Sequence, residues 1–272
     1  MKYLLKLCLL LYVSFLSSCE RTHDIIVSAY DENSDDVLRH LESCCPTDTC
    51  RVFIYSSLNE GSQRSHEHVY RNKKHKVEHA NHDTDTWLSV NTSYKKFGKT
   101  VDNTLTGTEA TAYITHVIEN YDNLADTLAF VHGHIHSWHS RRMCDIIKHG
   151  LRKLRRIKTH TVYVNINKPH PRRCMSMKGI SGDGTSIEMR DHVFKYWTNW
   201  TQQPTPTRIS WECCAQFVTN RESIRHRGYP FWQALNRTMT RCPLPTPEKC
   251  PPFEYLWPTL IDEKGTLGKS RC

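Results

Sequence analysis

The chain lacks the short signatures that mark several large enzyme classes. No Gly-x-Ser-x-Gly elbow, Walker loop or Gly-x-Gly-x-x-Gly fingerprint occurs, which argues against hydrolase, NTPase and dehydrogenase readings. No His-Glu-x-x-His pair is present, so the commonest zinc-protease pattern is missing. Internal repeats and low-complexity tracts are absent too, which leaves a folded core as the expectation. Past the N-terminal segment, no stretch is apolar enough to cross a membrane.

What is present points to an exported α/β protein. The 272 residues suffice for one large domain, and 38% of them are hydrophobic. In MKYLLKLCLLLYVSFLSSC, Lys2 and Lys6 precede a short apolar run that ends in Ser17 and Ser18. That layout predicts a signal peptide over 1–18, with an uncleaved signal anchor as the alternative and the only route to a membrane. Ten of the 12 cysteines lie at or after Cys44, an even set that suits disulfides in a secretory lumen. Sequons at Asn91, Asn199 and Asn236 suit the same route. The formal charge is +9, with basic residues clustered at 141–158. A lumenal destination argues against a nucleic-acid partner. The cluster reads as a solvated helix face, or as a surface for an anionic ligand or membrane.

Periodicity orders the elements. HDIIVSAYDEN (23–33) and CRVFIYSS (50–57) read as strands around a helix in DDVLRHLESC, a βαβ unit that implies a parallel sheet. Residues 58–100 form a polar insertion, in which the DTD of 83–85 resembles an Asp-x-Asp metal motif without a preceding apolar strand. TGTEATAYITHVIENYDNL (106–124) has the capping box Thr106/Glu109 and an apolar stripe. DTLAFVHGH (126–134) is a buried strand, followed by a basic amphipathic helix and a further strand in HTVYVNIN (160–167). RDHVFKYWTNW reads as helix, 209–227 as strand then helix, and CPPFEYLWPTLIDEKG as a C-terminal helix. The fold class is α/β: one mostly parallel sheet flanked by helices over 23–272, with its loops gathered at one edge.

Ligands of open α/β sheets bind beyond the C-terminal ends of the strands. YDEN (30–33), HGHIHSWH (132–139) and NIN (165–167) reach that edge. His132 and His134, two apart on a strand, project to one face and could share a cation. Imidazole suits zinc, and manganese where carboxylates such as Asp31, or His139, complete the sphere. The alternative is hydrogen bonding of these rings to loop carbonyls or to a ligand. Asp31 and Glu32 lie in a turn that Asn33 or Ser34 could equally form as a helix cap. Glu109 is either a capping residue or an acid at a cleft. Vicinal Cys213 and Cys214 are expected to bond distant partners.

The series IIVSAYDEN, GTEATAYITHVIENYDNLADTLAFVHGHIHSWH, TVYVNIN with Cys174, CCAQFVTNRESIRHR and FEYLW resembles the domain of unknown function 3431 family. The family pattern has a Gly-Arg-Glu helix, a strand ending in Phe-x-His-x-His, a Cys-Cys-Ala-Gln-Phe segment and a closing Glu-Tyr-Leu-Trp-His. Departures are Thr108 for Arg, Thr111 and Ala112 for His-Thr, Thr219 and Asn220 for Val-Ser, and Pro258 for the last His. The layout is similar to glycosyltransferases of the GT-A (Rossmann-like) fold, with HGH in the slot usually held by Asp-x-Asp.

That resemblance implies a nucleotide-sugar donor and a glycan or protein acceptor. Tyr30, Asp31 and Glu32 would meet the nucleotide, and His132 and His134 the diphosphate or a divalent metal, manganese or zinc. His139, Glu109 and Glu254 are candidate bases. Trp138, Gln216, Arg221, Arg225 and Trp257 would contact substrate. A histidine-metal hydrolase and a non-catalytic binding protein of the same fold stand as the rival expectations.

Overall fold

The computed structural model describes residues 22–29, 34–42, 44, 50–56, 95–96, 109–135, 141–168, 173–176, 179–181, 187–211, 214–240 and 253–261. The elements run β1 (His23–Ala29), α1 (Ser34–Glu42), β2 (Cys50–Ser56), β3 (Lys95–Lys96), α2 (Glu109–Glu119), a 3-10 turn (Tyr121–Asn123), β4 (Thr127–His132), α3 (Met143–Arg156), β5 (Tyr163–Asn165), β6 (Arg173–Ser176), β7 (Gly179–Ser181), α4 (Ile187–Thr201), β8 (Arg208–Trp211), β9 (Phe217–Asn220), α5 (Arg221–Arg225), α6 (Tyr229–Thr240) and α7 (Phe253–Ile261).

Six strands form the main sheet in the order β3-β2-β1-β4-β9-β5. β1 pairs in parallel with β2 and β4, and β2 with β3. β9 is antiparallel to both β4 and β5, so β5 runs in the direction of β4. A second, antiparallel sheet has the order β7-β6-β8.

The unbroken apolar run of β1 explains its central place. Ile25, Ile26 and Val27 are each fully buried, and successive side chains leave a strand on opposite faces. Ile25 and Val27 pack with Ala129, Val131 and the apolar sides of α1 and α3. Ile26 joins the other face, an aromatic core of Tyr113, Phe130, Phe217, Trp232 and Trp257.

α3 buries Met143, Ile146, Ile147, Gly150, Leu151 and Leu154 at helical spacing and exposes its cations. Gly150 lets it approach the sheet closely. A Cβ there would lie 2.5 Å from Ile166 Cγ2 and 2.6 Å from Val218 Cγ2. A Cys44–Cys144 disulfide, Cα–Cα 4.8 Å, ties the end of α1 to the start of α3. Cys214 is also disulfide-bonded, and Cys50 is buried at the start of β2.

The sequence reading and the structure part at a few places. The helix expected over 106–124 covers Glu109–Glu119 and gives way to the 3-10 turn. One strand inside the expected insertion, β3, joins the main sheet. The antiparallel β9 and the small second sheet were not foreseen, because period-2 patterning carries no information on strand direction. The N-terminal segment 1–18, the capping Thr106 and the DTD of 83–85 lie outside the described residues. Among the described residues, no helix is long and apolar enough to cross a membrane.

Candidate functional site

The C-terminal end of β4 is the centre of the site. His132 pairs with Ser28 of β1, and the Gly133 amide donates to the Ser28 carbonyl at 2.7 Å. The glycine thus continues the ladder by one bond as the chain leaves the sheet. His132 is half-buried and His134 exposed. Their rings stand perpendicular with centroids 6.2 Å apart. Among the described residues, no third ligating side chain joins the pair. His139 and Asp31, the expected further ligands, lie outside the described residues, as do Tyr30, Glu32 and Trp138.

A network of side-chain amides holds His132 in place. Gln216, buried on the first residues before β9, accepts from the His132 amide at 3.2 Å through its Oε1. Its Nε2 donates to Asn167 Oδ1 at 2.8 Å. Asn167 Nδ2 in turn donates to the Cys214 carbonyl at 2.6 Å and the Gln216 carbonyl at 3.1 Å. Asn165 Oδ1 accepts from the Asn167 amide at 2.8 Å, the short turn that ends β5. Gln216 therefore fixes the backbone at the histidines, and its own amide is consumed in doing so.

Cys214 has φ +71°, a left-handed conformation that a side chain disfavours by about 1 kcal/mol or more. The turn is held by the Gln216 amide donating to the Cys214 carbonyl at 2.7 Å and by the Cys214 amide donating to Glu254 Oε1 at 3.1 Å. Residues 214–216 consequently join His132 on one side to Glu254, in the first turn of α7, on the other. Glu109 opens α2 close by. Burial pushes its carboxyl above the usual range, its own backbone amide pulls it back in part, and the negative charge of Glu254 raises it again. The charge of Glu254 therefore reaches Glu109.

Three expected contacts lie elsewhere. Trp257 is 2% exposed and packs between Tyr113, Phe217 and Phe253, so it belongs to the aromatic core. Arg221 pairs with Asp126 and donates to the Leu124 carbonyl at 3.1 Å. Arg225 donates to the Tyr121 and Asp122 carbonyls at 3.1 and 3.0 Å. Asp126 precedes His132 by six residues of strand, about 20 Å at 3.3 Å per residue. Both arginines therefore tie down the opposite end of the sheet.

That opposite end carries a buried charge cluster that sequence reasoning missed. Asp24 and His116 are fully buried, and Arg51 is one-quarter exposed. Arg51 binds Asp24 through Nε at 2.6 Å and Nη2 at 2.8 Å, and the Ala125 amide donates to Asp24 at 3.0 Å. His116 Nε2 stands 3.6 Å from the carboxylate, and its Nδ1 meets the Tyr55 hydroxyl at 3.0 Å. Burial alone would raise the Asp24 pKa, but His116 and Arg51 outweigh it and hold the group below its usual value. The signal in the sequence was an acid inside a run that is otherwise a buried strand.

Comparison with known families supports the order of these segments. The family described as "Protein of unknown function (DUF3431)" matches residues 77–271, well over half of the chain. The chain belongs to this family. Glu109, His132, His134, Gln216 and Glu254 all fall inside the DUF3431 match, while β1 and β2 precede it and yet form the middle of the same sheet. No curated protein and no solved structure matches the chain.

Proposed function

We propose that the chain is a GT-A-like glycosyltransferase of the secretory pathway, using a nucleotide sugar and a glycan or protein acceptor. One observation carries the reading: residues 214–216 link the His132 backbone to Glu254 by hydrogen bonds, which ties a carboxylate-bearing helix to the C-terminal edge of β4 where the histidines stand. Ligands of open α/β sheets bind at such an edge. The parallel order β2-β1-β4, which sets Ser28 near the end of β1 beside His132, supports the analogy at the level of layout.

In the proposed reaction the bond from the sugar's anomeric carbon to the diphosphate oxygen breaks, and the acceptor oxygen bonds that carbon. The acceptor proton passes to a carboxylate. Glu109 suits that role better than Glu254, because a raised pKa makes a stronger base and Glu254 is engaged with the Cys214 amide. His132 and His134 would donate to the departing diphosphate. Alternatively the two imidazoles would hold a divalent metal, manganese or zinc, which would supply the charge neutralisation at that diphosphate in place of the direct donation. The signal-like N-terminal segment, the sequons and the cysteine set are the sequence features that support a lumenal setting.

The test is a thermal-shift panel of nucleotide sugars with and without manganese, on wild type and His134→Ala. A donor-dependent shift that His134→Ala abolishes is the expected result. No shift with any donor, for wild type and variant alike, would refute the reading. Stoichiometric zinc retained through dialysis would instead favour a histidine-metal hydrolase.

A further inference from the structure

A cavity of about 660 Å³ lies between α3 and the end of β5. Among the described residues its walls carry Arg141, Lys148, Arg152, Lys153 and Lys168, against one carboxylate, Asp145. Over the described lining cations outnumber acids five to one, and the walls of a cavity concentrate the field they set up. Asn165 and Asn167 line the inner end, and Asn167 is fixed there by its bonds to the 214–216 turn. That wall is therefore rigid before any ligand arrives.

The spacing of the cations indicates the charge pattern of a ligand. Lys148 and Arg152 are one helical turn apart, about 6 Å, and the stretch from Met143 to Lys153 spans about 15 Å. One oxyanion cannot reach all five side chains. A molecule with two or more anionic groups a turn apart can. Arg152 Nε donates to the Lys148 carbonyl at 3.2 Å, which orients the guanidinium on the helix surface. Guanidinium and ammonium groups together suit tetrahedral oxyanions, the guanidinium binding two oxygens at once.

We propose that this cavity binds a small polyanion carrying several phosphate or sulfate esters. The site is distinct from the donor edge and does not rest on the glycosyl-transfer reading. Its electrostatic part weakens with salt, but a bounded pocket retains selectivity that an open basic face lacks.

Two probes separate the sources of the shared chemistry: inositol hexakisphosphate and sucrose octasulfate. Each is titrated calorimetrically into the full chain at roughly physiological ionic strength, about 0.15 M, with sodium sulfate at matched ionic strength as the reference. Arg155 and Arg156 provide an internal control, since both are exposed on α3 and neither lines the cavity. The expected result is binding of at least one probe that Lys148→Ala/Arg152→Ala weakens by about tenfold or more, while Arg155→Ala/Arg156→Ala changes it by less than about threefold. All four side chains are exposed, and unchanged melting temperatures of both double variants verify the fold. Response to one probe alone assigns the ester as phosphate or sulfate. Equal loss in the two double variants would mean a non-specific basic helix face and overturn the proposal. So would failure of both probes to bind. His132→Ala should leave binding intact, which keeps this result separate from the donor test.

Discussion

Replacing Asp24 with Asn keeps the shape of a fully buried side chain and removes its charge. The wild-type carboxylate accepts from Arg51 at 2.6 and 2.8 Å and from the Ala125 amide at 3.0 Å, with His116 at 3.6 Å. In the best arrangement the Asn oxygen replaces Oδ2 and keeps the Arg51 Nη2 and Ala125 bonds. Its amide then points at Arg51 Nε, donor against donor. Breaking one side of a buried pair costs about 3–5 kcal/mol, and the partial exposure of Arg51, which lets water re-solvate it, argues for about 3. At about 2–4 °C per kcal/mol for a chain of this size, the melting temperature should fall by roughly 6–12 °C. The pH dependence provides the sharper check. Asp24 has its pKa lowered in the folded state, so its stabilisation is present above the unfolded carboxyl value of about 3.9 and is lost as pH falls through the folded value. Calorimetric melting at pH 6 should show the full gap between wild type and Asp24→Asn, and the gap should shrink below about pH 4. A difference under about 1 kcal/mol at pH 6, or one that is unchanged in acid, would refute the account of a buried ion pair.

Gly150→Ala should destabilise the protein by about 1–3 kcal/mol in urea unfolding, because the new Cβ meets Ile166 and Val218, despite alanine's higher helix propensity. A gain in stability would show that α3 can lift from the sheet without loss. Removing the Cys44–Cys144 bridge, which closes a span of 100 residues, should cost up to about 4.7 kcal/mol on the chain-entropy estimate; the Cys44→Ala/Cys144→Ala double variant compared under oxidising conditions measures it. Glu254→Gln removes a charge that raises the Glu109 pKa, so the acid limb of any transfer activity should move to lower pH. An unmoved limb would remove Glu109 from the role of base.

Much of the architecture was legible because its signals are local. The run Ile25-Ile26-Val27 marks a strand buried on both faces, and the 3.6-residue spacing of Met143, Ile146, Ile147, Gly150 and Leu154 marks α3. The same locality explains what was misplaced. Arg221 and Arg225 follow the Cys-Cys-Ala-Gln-Phe segment closely in sequence, but antiparallel β9 carries them away from His132 to the far end of the sheet. Trp257 sits in a motif with Glu254, yet one turn of helix separates a side chain at the edge from one in the core.

The sequence by itself determined the α/β class, the central strands, the basic face of α3 and the arrival of His132 and His134 at a strand end. These follow from residue patterns over a few turns or strand lengths. Tertiary structure alone decided which groups share a place: Gln216 with the His132 amide, Glu254 with Cys214, Glu109 with Glu254, and Asp24 with Arg51 and His116. Such pairings depend on strand direction and register between segments up to about a hundred residues apart, and hydrophobic periodicity carries neither. The burial that raises the Glu109 pKa, and the partners that lower that of Asp24, exist only once those segments have packed.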